Sequence, residues 1–220
     1  MVLTPSTMLP LGTRLPSFSL PDFDGRVVSS DDFAQAPALL VAFICGHCPF
    51  VTHIRHGFAQ FAREYQTRGL ALVAINSNDI EAFPDDGPDG MRDEARRAGY
   101  VFPYLFDETQ DVARKFRAAC TPDLYLFDTN RSLVYRGRFD DSRPRTSPPM
   151  PVTGRDIRAA VDAVLAGAPV PRTRRGASAA ISNGSAEMRP TTSDTRRARR
   201  DRRTRRVRRN YAVFAVSNVT

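Results

Sequence analysis

Cysteine is scarce: Cys45, Cys48 and Cys120 are the three in 220 residues. So few, and odd in number, they do not make the disulfide framework of a small secreted module. A reducing compartment, the cytosol, is the expected setting. Long apolar runs are missing too, and none approaches the roughly 20 residues that span a bilayer. The opening MVLTPSTMLPLGTRLP has no basic segment followed by a long apolar one, so it does not read as a signal peptide. Excess basic charge is also absent from most of the chain. The net charge is +8, but the stretch from Arg172 to Arg209 holds 14 arginines against Glu187, Asp194 and Asp201. That stretch alone carries +11, which leaves −3 for everything else, so the whole-chain charge says nothing about what the rest binds.

What is present is an alternating α/β pattern. LPSFSLPDFDGRVVSSDDF reads as two short extended pieces around a turn at Asp24-Gly25, then a helix start capped near Ser30. ALLVAFIC (38–45) is a continuous apolar run, as expected of a strand covered on both faces. Phe50, Ile54, Phe58, Phe61 and Tyr65 recur every three or four residues, which predicts an amphipathic helix over 49–68 with Pro49 tolerated in its first turn. Gly69 ends that helix, and LALVAINS (70–77) is a second buried strand, completing a right-handed parallel βαβ unit. A Pro/Gly/Asp-rich loop (83–90), a helix over 91–98, the strand PYLFD and a helix over 110–117 follow. DLYLFD (123–128) and SLVYRGRF (132–139) form a hairpin, and 154–167 is a closing helix. The expected organisation is an N-terminal extension (1–10), one α/β domain (11–168) and a disordered arginine-rich tail (169–220).

The chemistry concentrates in FICGHCPFVTHI (43–54), where a core strand ends, a helix begins, and two cysteines stand three apart. Cys48 falls where helix N–H groups have no intrahelical partner, and these, with the helix dipole, stabilise a thiolate. Cys45 lies on the preceding turn, within reach of a mixed disulfide on Cys48, and His47 can add positive charge. Bland readings stand beside this one. A cysteine ending a core strand is commonly packing, above all for Cys45. A metal site would take Cys45, Cys48 and His53 or His56 but lacks a second strong ligand pair. Haem attachment is excluded, because Pro49 rather than histidine follows the second cysteine. Neither a cofactor nor a metal is expected.

LGTRLPSFSLPDFDGRVV, LLVAFICGHCPFV, LVAINSND, CTPDLYLFD and LVYRGRFDDSRP, in that order, resemble the redoxins of the alkyl hydroperoxide reductase/thiol-specific antioxidant superfamily, and within it a peroxiredoxin-like subgroup. The resemblance runs from about Leu11 to Pro171 and implies a thioredoxin-like fold, a central mixed sheet flanked by helices. It implies that Cys48, five residues after Phe43, occupies the thioredoxin nucleophile position, with Val51 where thioredoxins have their second cysteine. It further implies that Thr121-Pro122 is the cis-proline loop beside the nucleophile. The P-x-x-x-T-x-x-C frame of peroxiredoxins is not kept: Val41 and Cys45 stand at its Pro and Thr positions, and Pro122 at that of its peroxide-binding Arg. Ala42 replaces the buried acid of thioredoxins.

These departures favour thiol–disulfide exchange through Cys48, with Cys45 or an external thiol resolving and Pro122 aligning the substrate. A thiol peroxidase with antioxidant activity and a non-catalytic redoxin-fold binding module are the alternatives. The implied partners are a protein or small-molecule disulfide, or a hydroperoxide, and a dithiol reductant. Cys120 is either a second resolving thiol or a passive loop residue, and DDSRP (140–144) either faces substrate or is an exposed turn with a local Asp–Arg pair. The tail has no interleaved aromatics, so any binding to nucleic acid would be nonspecific. With one choice of codons, SAAISNG (178–184) read one base earlier encodes Gly-Cys-Asn-Ile-Lys-Trp, the ending that the resemblance implies. A frameshift near Pro171 is therefore expected, with loss of one further thiol.

Overall fold

The structure, a computed structural model, describes residues 9–170. Residues 1–8 and 171–220, with the expectations of tail disorder, nucleic-acid binding and a frameshift, lie outside the described residues. The centre is a five-stranded mixed sheet in the order β5-β4-β3-β6-β7. Its strands are β3 (Ala38–Phe43), β4 (Leu70–Asn76), β5 (Tyr104–Phe106), β6 (Asp123–Phe127) and β7 (Leu133–Gly137). A small antiparallel hairpin of β1 (Ser19–Pro21) and β2 (Val27–Ser29) precedes it. β3 pairs with β4 in parallel and with β6 antiparallel, so it lies at the middle of the sheet.

Every residue of β3 is buried, as its unbroken apolar run requires. Alternate side chains serve two cores, as a period of two dictates. Leu40, Ala42 and Ile44 pack with α1 (Pro49–Gln66) and α4 (Arg155–Leu165), through Phe58, Phe61 and Ile157. Leu39, Val41 and Phe43 pack on the other side with Val112 and Phe116 of α3 (Asp111–Phe116) and with Phe18 and Val28. α2 (Pro88–Ala98) covers the first core with Met91 and stops at Gly99, whose φ of +71° is the left-handed turn that glycine adopts without penalty. No helix among the described residues is long and apolar enough to cross a membrane.

Most element ends differ from the sequence reading by a few residues, those of β3 and α2 among them. β3 ends at Phe43, so Ile44 and Cys45 lie beyond it, although the Ile44 N–H still reaches the Ile75 carbonyl at 3.1 Å. α2 begins at Pro88, three residues early, because proline's fixed φ suits a first helical position. The β3–β6 register pairs Leu39 with Phe127 and Phe43 with Asp123. Carried two residues further, it sets Cys45 opposite Thr121, and the whole candidate site is built at that end of the sheet.

Candidate active site

Cys48 is the N-cap of α1, extended at φ −68° and ψ 122°, with Pro49 following in the first turn. It is fully buried. Its Sγ lies 3.3 Å from the Thr121 carbonyl, which accepts its proton in the thiol form. Several groups act on its acidity. The strongest is a hydrogen bond from Cys45, which lowers the pKa; burial opposes it; the Thr121 side chain and the free N–H groups of Val51 and Phe50 lower it further, to about 6. Cys48 is therefore held mainly as thiolate at neutral pH.

Cys45 is driven the other way. Burial raises its pKa, and the hydrogen bond with Cys48 and the negative charges of Cys48 and Asp86 add to the rise. Its Sγ stands 3.3 Å from Thr121 Oγ1. The two sulfurs therefore share Thr121, one held as thiolate and the other as thiol. The Thr121-Pro122 peptide bond is cis, and Pro122 is half-buried beside this pair. Cys45, Cys48 and Thr121 are thus brought together, and Pro122 is the next residue in the chain.

The structure adds a buried carboxylate that sequence reasoning passed over. Asp86, from the loop taken only as turn formers, is 1% exposed. Its Oδ1 accepts the Gly46 N–H at 3.1 Å and its Oδ2 accepts the Asn78 amide at 2.5 Å, while its own carbonyl accepts the Asn76 amide at 2.7 Å. His47 Nδ1 hydrogen-bonds Asp86 Oδ2, and its ring stacks on Phe83 with centroids 4.2 Å apart. Burial works against charging His47, but the Asp86 hydrogen bond and charge and the Cys48 thiolate outweigh it, so its pKa is raised. A second carboxylate, Glu94, is buried nearby and accepts from Arg55 Nε at 2.8 Å. No spacing rule links residues 47 and 86; the only signal was an acidic loop following the second strand of the βαβ unit.

Other candidates resolve plainly. Cys120 is buried, and burial first, then Asp123, raises its pKa, while Arg136 pulls it down. It sits above a closed network in which Asp123 pairs with Arg136 at 2.6 Å and accepts from the Tyr125 hydroxyl at 2.8 Å. The metal alternative with His53 or His56 is not assembled: His53 Nε2 lies 3.1 Å from Ser142 Oγ, and His56 is exposed. The ligand atoms that do gather, within 4.8 Å of one another, belong to Cys45, His47 and Asp86. DDSRP is not an exposed turn with a local Asp–Arg pair. Asp140 is buried and accepts from the backbone of Ser142, Thr153 and Gly154 at 2.9, 2.6 and 2.6 Å, clamping the loop to the start of α4, while Asp141 pairs with Arg155 at 3.0 Å. Gly154 is needed there, since a Cβ would fall 2.6 Å from the Phe139 ring.

Comparison with known proteins agrees with this fold. The model of the AhpC/TSA family matches residues 11–136. A "putative peroxiredoxin" of Mycobacterium tuberculosis is 26% identical over 123 residues, 56% of this chain and 73% of that protein. The crystal structure of a hypothetical protein from Sinorhizobium meliloti 1021 is 51% identical, covering 76% of this chain and 91% of the other at a TM-score of 0.74. The thioredoxin domain of a thiol-disulfide oxidoreductase from Bacteroides vulgatus shares the fold at 17% identity, with coverage of 61% and 92% and a TM-score of 0.52. The family match spans more than half of the chain and contains both cysteines and Pro122, so this chain belongs to the AhpC/TSA family, thiol-based redoxins on a thioredoxin fold.

Proposed function

We propose that the protein is a thiol–disulfide oxidoreductase in which Cys48 attacks and Cys45 resolves. The observation that carries this reading is the placement of two buried sulfurs against the same threonine, with Cys48 at the start of α1, where its surroundings favour the thiolate while those of Cys45 favour the thiol. The Cys48 thiolate attacks one sulfur of a substrate disulfide; the S–S bond breaks, and the departing thiolate takes a proton from solvent. The Cys45 thiol then gives up its proton, for which the Asp86 carboxylate is placed within 4.8 Å, and attacks Cys48 Sγ. A second substrate thiol leaves, and a Cys45–Cys48 disulfide remains for an external dithiol to reduce. Pro122 and the Thr121 backbone form the rim against which an extended substrate segment lies. Because both cysteines are fully buried, substrate reaches them only as that rim opens.

Peroxidase chemistry is disfavoured because Val41, Cys45 and Pro122 stand where peroxiredoxins carry Pro, Thr and the peroxide-binding Arg. A cell compartment that keeps the pair reduced, the cytoplasm, fits this reading. The test is steady-state turnover with insulin, oxidised glutathione and hydrogen peroxide, each with the same dithiol reductant. Disulfide reduction is expected to exceed peroxide consumption; peroxide turnover faster than either disulfide would overturn the assignment.

A further inference from the structure

A sulfur, an imidazole nitrogen and a carboxylate oxygen converge beside the redox pair. Cys45 Sγ, His47 and Asp86 offer ligand atoms that all lie within 4.8 Å of one another. They come from two separate segments, the turn between β3 and α1 and the short 3₁₀ turn Pro84–Asp86 before α2. The carboxylate is held in place by Gly46, Asn76 and Asn78, the outer support that fixes a metal-ligating group. Around it are polar atoms with nothing to bind. His47 Nε2 and Asn78 Oδ1 are buried with no hydrogen-bond partner, and the Asn78 amide nitrogen lies 3.4 Å from His47 Nδ1. The Phe83 ring stacks on His47 at the edge of this cluster.

We propose that the reduced protein binds one Zn²⁺ through Cys45 Sγ, the His47 imidazole and the Asp86 carboxylate, with a solvent molecule as the fourth ligand. Mixed S, N and O donors select zinc over calcium or magnesium, which take oxygen. Tetrahedral zinc sets its ligand atoms about 3.3–3.6 Å apart, so Cys45 Sγ has to move in and the hydrogen-bonded His47 and Asp86 atoms to move apart, each by about 1 Å. The ion replaces protons rather than moving electrons. The Cys45 thiol proton and the proton between His47 and Asp86 leave to solvent, and His47 keeps its remaining proton on Nε2. Zinc then occupies the Cys45 sulfur as a thiolate, so the loaded form cannot close the Cys45–Cys48 disulfide.

The test uses untagged full-length protein, reduced with a phosphine and titrated with Co²⁺ and then Zn²⁺ against a chromophoric chelator. One Co²⁺ per chain with a thiolate charge-transfer band and tetrahedral visible bands is expected, displaced by Zn²⁺. Asp86→Asn and His47→Ala, each confirmed as folded by circular dichroism, should weaken zinc binding by at least about tenfold. His56→Ala, on an exposed site, should not change it. Protein oxidised by diamide, which takes up the two thiol hydrogens as the disulfide forms, should bind none. Absence of stoichiometric metal, or unchanged affinity in both the Asp86 and His47 variants, overturns the site. Binding is read without turnover, so it stands or falls separately from the exchange activity.

Discussion

Replacing Cys45 by alanine should make Cys48 a weaker acid, and by a calculable amount. The largest influence holding the Cys48 pKa near 6 is the hydrogen bond from the Cys45 thiol to the Cys48 thiolate. A hydrogen bond to a charged acceptor is worth about 1.5–3 kcal/mol. At 1.36 kcal/mol per pH unit, its loss moves the titration midpoint up by about one to two units. The sign follows from the direction of the shift: a lowered pKa supplies reactivity above the midpoint and loses it as pH falls through it. At pH 6 about half of wild-type Cys48 is thiolate, against about a tenth to a hundredth in Cys45→Ala, so alkylation there should slow about 5- to 50-fold. Cys45→Ser keeps a donor and should leave the midpoint near the wild-type value. Iodoacetamide labelling from acid to alkaline pH, with the Cys48 peptide quantified by mass spectrometry, reads the midpoint directly. Equal midpoints for Cys45→Ala and wild type, or an equal rise in both variants, would refute the reasoning.

Cys48→Ser should form no covalent adduct with a model disulfide, while Cys45→Ser should accumulate a mixed disulfide on Cys48. Intact-mass measurement after one turnover decides, and an adduct on Cys45 in the Cys48→Ser protein would reverse the roles. Asp86→Asn removes the hydrogen bond and charge that raise His47 while leaving its burial, so in metal-free protein the His47 pKa should fall below the ordinary histidine value. An NMR titration of the His47 ring that shows no change would count against the Asp86–His47 pairing. Asp123→Ala removes the carboxylate that pairs with the buried Arg136 guanidinium, for an expected loss of about 3–5 kcal/mol in urea denaturation. A loss near zero would mean that water or a shifted partner satisfies Arg136.

Much of the fold was legible because it follows from periodicity. The unbroken apolar run of β3 and the three-and-four spacing of α1 each report their surroundings locally, and the βαβ unit follows from them. The same is true of Cys48, whose place at a helix start is a property of adjacent residues. Asp86 was not legible, because what makes it part of the site is desolvation against residues 39 positions away, and an aspartate before Gly87-Pro88 is also what an ordinary turn contains. DDSRP misled for the converse reason. Charge suggested exposure, but Asp140 is buried by spending its oxygens on the backbone of Thr153 and Gly154. Thr121 drew notice only as the neighbour of Pro122, yet it hydrogen-bonds both sulfurs.

The spacing between redox pair and threonine is set by the hydrogen-bond ladder of β3 and β6 rather than by the loops that bear them. A deletion of one residue within Leu39–Phe43 or Asp123–Phe127 would bring Gly46 or Cys120 toward the place of Cys45 or Thr121 and exchange the two faces of the strand. The one irregularity in these strands, between Leu126 and Phe127, lies where β6 meets β7, on the side away from β3. Length variation in such a chain is therefore confined to segments outside these two strands, and the phase of the central ladder is itself a determinant of which sulfur reacts.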